Sequence, residues 1–226
     1  MIDELLPDSV VAVEAYGEEA RRLAPLYPEE LACVARAVDK RRREFAAVRA
    51  CARRAMEKLG VQPQAVVPGE RGAPRWPEGL IGSMTHCDGY CAAALVRAGD
   101  LASLGVDAEP HGPLPDGVLP SVALPDEARR LANLTALHPE VHWDRLLFSA
   151  KESVYKAWFP LTGKWLDFKE ADIEVHTDPG TSRLGGFRAA LLVPGPVVGG
   201  RRLSGFEGRW TVTGSHVATA VTVPHA

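Results

Sequence analysis

Apolar residues recur at three- and four-residue steps through the run from Leu31 to Leu59. Phe45, Val48, Ala52, Ala55, Met56 and Leu59 share one side, and Gly60 ends the pattern. This spacing predicts a helix with one buried stripe. A proline- and glycine-rich connection, QPQAVVPGERGAPRWPEG, follows it. Three strand-like segments come next: GLIGSM, YCAAALVRA closed by a Gly99-Asp100 turn, and LASLGVDAE stopped by Pro110. Residues 110–126 hold five prolines and two glycines, and read as a linker or long ordered loop. Helical periodicity returns in DEARRLANLTAL and, more strongly, in HWDRLLFSAKESVYKAWF. Three β-rich segments close the chain: ADIEVHT, GGFRAALLVP, and GRWTVTGSHVATAVTV with a Gly214-Ser215 turn.

The order helix, then three strands, therefore occurs twice, without a residue-level repeat. That order predicts an α+β fold of two packed halves, residues 1–109 and 110–226, with a ligand cleft between them.

In a strand, residues two apart share a face. Leu104 and Val106 take one side of SLGVDAEP, while Gly105, Asp107 and Glu109 take the other. Two adjacent carboxylates repel unless a proton or cation neutralises one of them. Hard oxygen ligands suit Mg²⁺. A solvated strand end with two exposed acids is the plain alternative.

Projection of 145–159 at helical pitch places Leu146, Leu147, Val154, Ala157 and Trp158 on one side and Phe148, Tyr155 and Phe159 on the other. A thin polar line of Arg145, Ser149, Glu152 and Lys156 runs between them. Such a helix is buried, and an ion pair within it is costly as a mere brace. Glu152 then reads as a third metal ligand or a general base, with Lys156 and Lys151 as phosphate contacts; a structural Glu152–Lys156 pair is the alternative.

The run KRRREFAAVRACARR invites a nucleic-acid reading, but the projection separates its charges. Arg43, Arg54 and Lys58 lie opposite the apolar stripe, in solvent. Arg41 falls in line with the stripe, and Arg42, Arg49 and Arg53 lie on its edge. Arg41 and Arg49 are the candidates to clamp an anion; salt bridges to surrounding acids are the alternative. The segment GSMTHCDGY leaves its strand through small polar residues, and Thr85 and His86 could reach a phosphate there. By itself that turn is uninformative.

A net charge of −3 over 226 residues gives no field that would draw the chain onto nucleic acid or an anionic membrane. No apolar run is long enough to span a bilayer, and the acidic N-terminus does not read as a secretory signal. Cys33, Cys51, Cys87 and Cys91 lack disulfide-framework or zinc spacing and read as reduced thiols in a cytoplasmic protein. The pair of metal-suited acids, the buried Glu152/Lys156 line and the two anion-holding features imply a Mg²⁺-dependent reaction on a phosphate ester or anhydride.

The segments IGSMTHCDGY, LGVDAEP and FSAKESVYKAWFPLTGKWLDF, in this order and spacing, resemble the Sfp/EntD-type 4′-phosphopantetheinyl transferases, and within them the actinobacterial type II enzymes. The resemblance spans roughly residues 35 to 210. It implies a pseudo-dimer of two similar α+β halves with coenzyme A bound between them. It further implies that Asp107, Glu109 and Glu152 hold Mg²⁺ (or Mn²⁺) against the coenzyme A pyrophosphate. Ala108 would offer only its carbonyl. Glu152 would deprotonate a carrier-protein serine, whose oxygen attacks the β-phosphate and expels 3′,5′-ADP. Lys151 and Lys156 match a KE-x-x-x-K pattern in which the second lysine contacts the pyrophosphate. Thr85 and His86 match a nucleotide-phosphate loop, and Arg41 and Arg49 match positions that grip the nucleotide. The implied partners are acyl and peptidyl carrier proteins of polyketide, nonribosomal peptide and fatty acid synthesis, served by a single cytoplasmic chain. Carrier docking is expected near AWFPLTGKWL, with Lys164 contributing. A Mg²⁺-dependent phosphoesterase acting on coenzyme A or a nucleotide, and a non-catalytic carrier-binding module, are the competing readings.

Overall fold

The computed structural model describes residues 1–21 and 24–225. In chain order the elements are β1 (Val11–Tyr16), α1 (Gly17–Arg21), α2 (Pro28–Cys33), α3 (Asp39–Lys58), β2 (Leu80–Cys87), β3 (Tyr90–Arg97) and β4 (Ser103–Pro110). They continue with α4 (Leu119–Val122), α5 (Pro125–Leu137), α6 (Trp143–Thr162), β5 (Ala171–Thr177), β6 (Leu184–Leu191), β7 (Val197–Val198), β8 (Arg201–Arg202), β9 (Gly205–Val212) and β10 (His216–Val223). The main strands form two antiparallel sheets, ordered β1-β3-β2 and β4-β10-β9-β6-β5; β7 and β8 pair as a separate ribbon.

Alternation along β3 decides how the layers stack. Cys91, Ala93 and Leu95 pack with Val48, Ala52, Ala55 and Met56 of α3. The intervening Tyr90, Ala92, Ala94 and Val96 pack with Leu104, Val106 and Ala108 of β4 and with Ala218 and Ala220 of β10. One strand thus faces a helix on one side and the second sheet on the other. On the far side of β4, α6 lies against the sheet, and its Leu146, Leu147, Ala150, Val154 and Ala157 enter a third core cluster with Trp210 and Phe187. The buried helix expected from the 145–159 projection is α6.

The structure departs from the sequence reading in several places. The periodic run from Leu31 is two helices, α2 and α3, because Val38 takes an extended conformation (φ −66°, ψ 157°) and Arg42 donates to the Val34 and Ala35 carbonyls at 3.2 and 2.6 Å, holding the end of the first helix. Strand β1 was not anticipated; its VAVEAY alternates and completes the first sheet. The proline-rich 110–126 stretch contains α4 and the start of α5, with Pro125 in the first turn, where a missing N–H is harmless. Strand β2 runs on to Cys87, so Thr85 and His86 lie within a strand and not in the turn after it. The Gly214-Ser215 turn is where the sequence placed it, between two strands, β9 and β10. The expected boundary at 109/110 falls inside β4, whose ladder is with β10.

Likeness between the halves reaches single residues. Glu30, in the first turn of α2, is fully buried; it accepts from Tyr27 N at 3.0 Å, Val66 N at 2.8 Å and Arg53 of α3 at 2.9 Å. Glu127, in the first turn of α5, accepts from Leu124 N at 2.7 Å, Ile173 N at 2.7 Å and Lys151 of α6 at 2.9 Å. Each acid satisfies its helix start, fixes a segment of chain and neutralises a cation on the long helix. This corrects the reading that the halves share no residue-level repeat: Tyr27-Pro28-Glu29-Glu30 corresponds to Leu124-Pro125-Asp126-Glu127.

Candidate active site

Strand β4 and helix α6 approach so closely that only glycine fits at position 105. A Cβ there would lie 2.0 Å from the Ser153 carbonyl oxygen and 2.7 Å from the Ala157 nitrogen. The contact brings the polar line of α6 onto the acids of β4. Lys156 Nζ donates to Asp107 Oδ1 at 2.7 Å and to the Val106 carbonyl at 3.1 Å. Arg145 pairs with Glu109 at 3.1 Å and donates to the carbonyls of Gly112 at 3.2 Å and Pro113 at 2.7 Å. Ser149 and Thr219 of β10 close the line at 3.0 Å.

Among the described residues Glu152 makes neither a hydrogen bond nor an ion pair, so the alternative of a Glu152–Lys156 brace does not hold. Burial raises its pKa, opposed by Lys156 and reinforced by the charge of Asp107, so the two acids sense each other. Burial and then Asp107 push Glu109 up to about 7. Asp107 Oδ2 is buried without a partner among the described residues. The solvated strand end is therefore excluded: these are shielded acids in need of cations. No three acidic, histidine or cysteine side chains among the described residues already form a metal-holding group; Lys156 and Arg145 take that place.

The remaining candidates divide. Arg41 Nη1 donates to His86 Nε2 at 2.7 Å, and Glu44 lies 3.8 Å from the other ring nitrogen. Burial, then Arg41 and Lys156, lowers the His86 pKa to about 4, so the ring is a neutral acceptor. Arg49 is buried; it donates to the Val66 carbonyl at 2.8 Å and stacks 3.1 Å from the centroid of Phe45, and burial lowers its pKa to about 10. Lys151, expected to contact phosphate, is instead the cation of the Glu127 cluster, its ammonium also donating to the Phe168 and Ala171 carbonyls. The Thr85 hydroxyl, expected on phosphate, accepts from Ala108 N at 3.1 Å and donates to Asp107 Oδ1 at 3.2 Å. Ala108 N–H thus points away from β10, and the carbonyl of a strand residue shares the direction of its N–H.

Beside Glu152 opens a cavity of about 200 Å³, walled by Tyr155, Trp165, Leu166 and Phe168. A larger hollow of about 490 Å³ around Leu5, Phe206 and Ala220 includes none of these groups.

Residues 28–96 match the 4′-phosphopantetheinyl transferase N-terminal domain, and residues 103–191 match the 4′-phosphopantetheinyl transferase superfamily. The chain is 59% identical over 224 residues to the 4′-phosphopantetheinyl transferase Svp of Streptomyces mobaraensis, covering 99% of this chain and 89% of that one. The chain belongs to the 4′-phosphopantetheinyl transferase superfamily. It is also 46% identical over 226 residues to the transferase Npt of Nocardia iowensis (98% of this chain, 99% of that one). Identity to PptT of Mycobacterium tuberculosis is 43% over 226 residues (99% and 98%).

Sequence reasoning missed Arg145 as the partner of Glu109, although it headed the polar line of α6. It also missed Glu127, whose signal was the repeated proline-acid-Glu triplet.

The transferase's His86 gives a pH signature. The unfolded chain takes up this proton near pH 6.5 and the folded chain only near 4, so stability falls as pH drops through that window. Glu109 acts with the opposite sign, its contribution being lost as pH rises from 4.5 toward 7. His86→Gln removes the first effect alone. The variant is expected to gain about 2 kcal/mol on wild type between pH 7 and pH 4.5 in denaturant unfolding. A pH-independent difference would contradict this.

Proposed function

We propose that the protein transfers the 4′-phosphopantetheine arm of coenzyme A to a serine of acyl or peptidyl carrier proteins in a Mg²⁺- or Mn²⁺-dependent reaction, as a single chain in the cytoplasm. The observation that carries the reading is the buried Asp107 Oδ2, without a partner among the described residues, beside Glu109 and Glu152, whose pKa values burial raises. A donor set of hard carboxylate oxygens, with the Ala108 carbonyl on the same strand edge, fits such a cation. Asp107, Ala108, Glu109 and Glu152 would hold it. Bound there, a divalent ion supplies neutralisation of diphosphate charge.

The protein groups supply the rest. Lys156, partly buried next to Asp107, lies where it can donate to the pyrophosphate, and Arg41, held by His86, offers donors to the nucleotide end. Arg49, sealed under Phe45, supports that region from beneath. Glu152, held in a site that favours its proton, takes the proton of the incoming serine hydroxyl. The serine oxygen then bonds to the β-phosphorus, and the pyrophosphate bond breaks to release 3′,5′-ADP. The cavity beside Glu152 has apolar walls suited to the pantetheine arm.

Carrier docking is proposed around the exposed Lys164 and Trp165, where Arg71 stacks 5.7 Å from the indole centroid. Lys164→Glu is expected to raise KM for an acidic carrier several-fold with KM for coenzyme A unchanged. An unchanged carrier KM would remove Lys164 from the docking surface. The activity itself is tested by incubating the protein with coenzyme A, Mg²⁺ and apo carrier proteins. Intact mass should reveal one added phosphopantetheine arm per carrier; release of 3′,5′-ADP without any carrier would point to hydrolysis.

A further inference from the structure

The facing edges of the two sheets meet without a continuous ladder. At that seam two hydroxyls on β2 substitute for a neighbouring strand. Ser83 Oγ accepts from Val106 N at 3.0 Å, and Thr85 Oγ1 accepts from Ala108 N at 3.1 Å. All four residues are buried. The two joints are alike in strand position but differ in one respect. The Ser83 hydroxyl has no acidic neighbour among its bonds, whereas Thr85 passes its own proton to Asp107 Oδ1 at 3.2 Å.

Among the described residues Asp107 Oδ1 therefore receives two donors, Thr85 from the first half and Lys156 from α6, while Oδ2 receives none. Two donors converging on one oxygen fix the carboxylate's rotation. The oxygen left bare is then aimed by the protein before any ligand arrives.

We propose that Thr85 is a positioning residue: it sets the rotation of Asp107 across the seam so that Oδ2 meets the divalent cation. The proposal rests on the reading that Asp107 holds that cation. It also makes the metal site conditional on the halves being docked, since the hydroxyl and the carboxylate come from different sheets.

The test compares Thr85→Val, Thr85→Ser and Ser83→Ala as full-length proteins, with folding checked by circular dichroism. Mn²⁺ binding is titrated by electron paramagnetic resonance without coenzyme A, and transfer kinetics are measured separately. Thr85→Val is expected to lose about tenfold or more in Mn²⁺ affinity, the usual scale for removing a partner of a ligating group. Its kcat should fall with KM for coenzyme A unchanged. Thr85→Ser should restore both, and Ser83→Ala should bind Mn²⁺ as wild type does. Should Thr85→Val fail to fold, Thr85→Ala carries the same expectation.

A raised KM for coenzyme A with unchanged Mn²⁺ affinity would overturn the proposal in favour of a phosphate contact. Equal losses in Ser83→Ala and Thr85→Val would reduce Thr85 to a strand joint. Mn²⁺ binding unchanged in Asp107→Asn would overturn the metal reading, and the proposal with it.

Discussion

Glu152→Gln is expected to lower transfer at saturating coenzyme A and carrier by at least about a hundredfold, the scale of losing a positioned general base. Thermal unfolding should stay within a few degrees of wild type. The separation of effects follows from the geometry. Glu152 makes no hydrogen bond or ion pair among the described residues, and burial already penalises its charge. Replacing it with a neutral isostere removes no partner from the fold and relieves a desolvation penalty. The loss should fall on kcat, measured by intact-mass time courses. A variant retaining near wild-type turnover with Mg²⁺ present would contradict the assigned role.

Gly105→Ala carries the second large effect, of the opposite kind. The added methyl would meet the Ser153 carbonyl at 2.0 Å and the Ala157 backbone at 2.7 Å. Both are main-chain atoms of α6, which cannot rotate aside as a side chain can. Relief requires α6 to move off β4, breaking the Lys156–Asp107 and Arg145–Glu109 pairs and opening the core that α6 shares with Trp210. The expected cost is about 3 kcal/mol or more in denaturant unfolding, at the upper end for overpacking, with transfer lost in the surviving folded fraction. A change below about 1 kcal/mol would mean that helix and strand are not packed at this distance.

The chemistry of this site was more legible in the sequence than its architecture. Alternation put Asp107 and Glu109 on one strand face, and helical projection put Arg145, Glu152 and Lys156 on one line. Both patterns survive because each lies within a single regular element. Which cation meets which acid did not follow, since the Lys156–Asp107 and Arg145–Glu109 pairs depend on the crossing of β4 and α6. Proximity in sequence favoured Glu152 with Lys156; the tertiary crossing favoured Asp107. Lys151 misled for the same reason. Its neighbour in the KE-x-x-x-K pattern faces the acids, but Lys151 lies a third of a turn away and is claimed by Glu127, 24 positions earlier. Thr85 and His86, adjacent in sequence, were expected to act together. In a strand they face opposite sides, Thr85 toward β4 and His86 toward Arg41 of α3. The fold was legible as two α+β halves. Strand β1 and the sheet membership of β4 were not, because pairing across a sheet leaves no local trace.

The most direct measurement is the anomalous scattering of crystals grown with coenzyme A and Mn²⁺. A single manganese peak is expected among the carboxylate oxygens of Asp107, Glu109 and Glu152, adjoining the cofactor's diphosphate, with Asp107 Oδ2 as a ligand. Bound coenzyme A with no peak there, or with the metal held by other side chains, would contradict it.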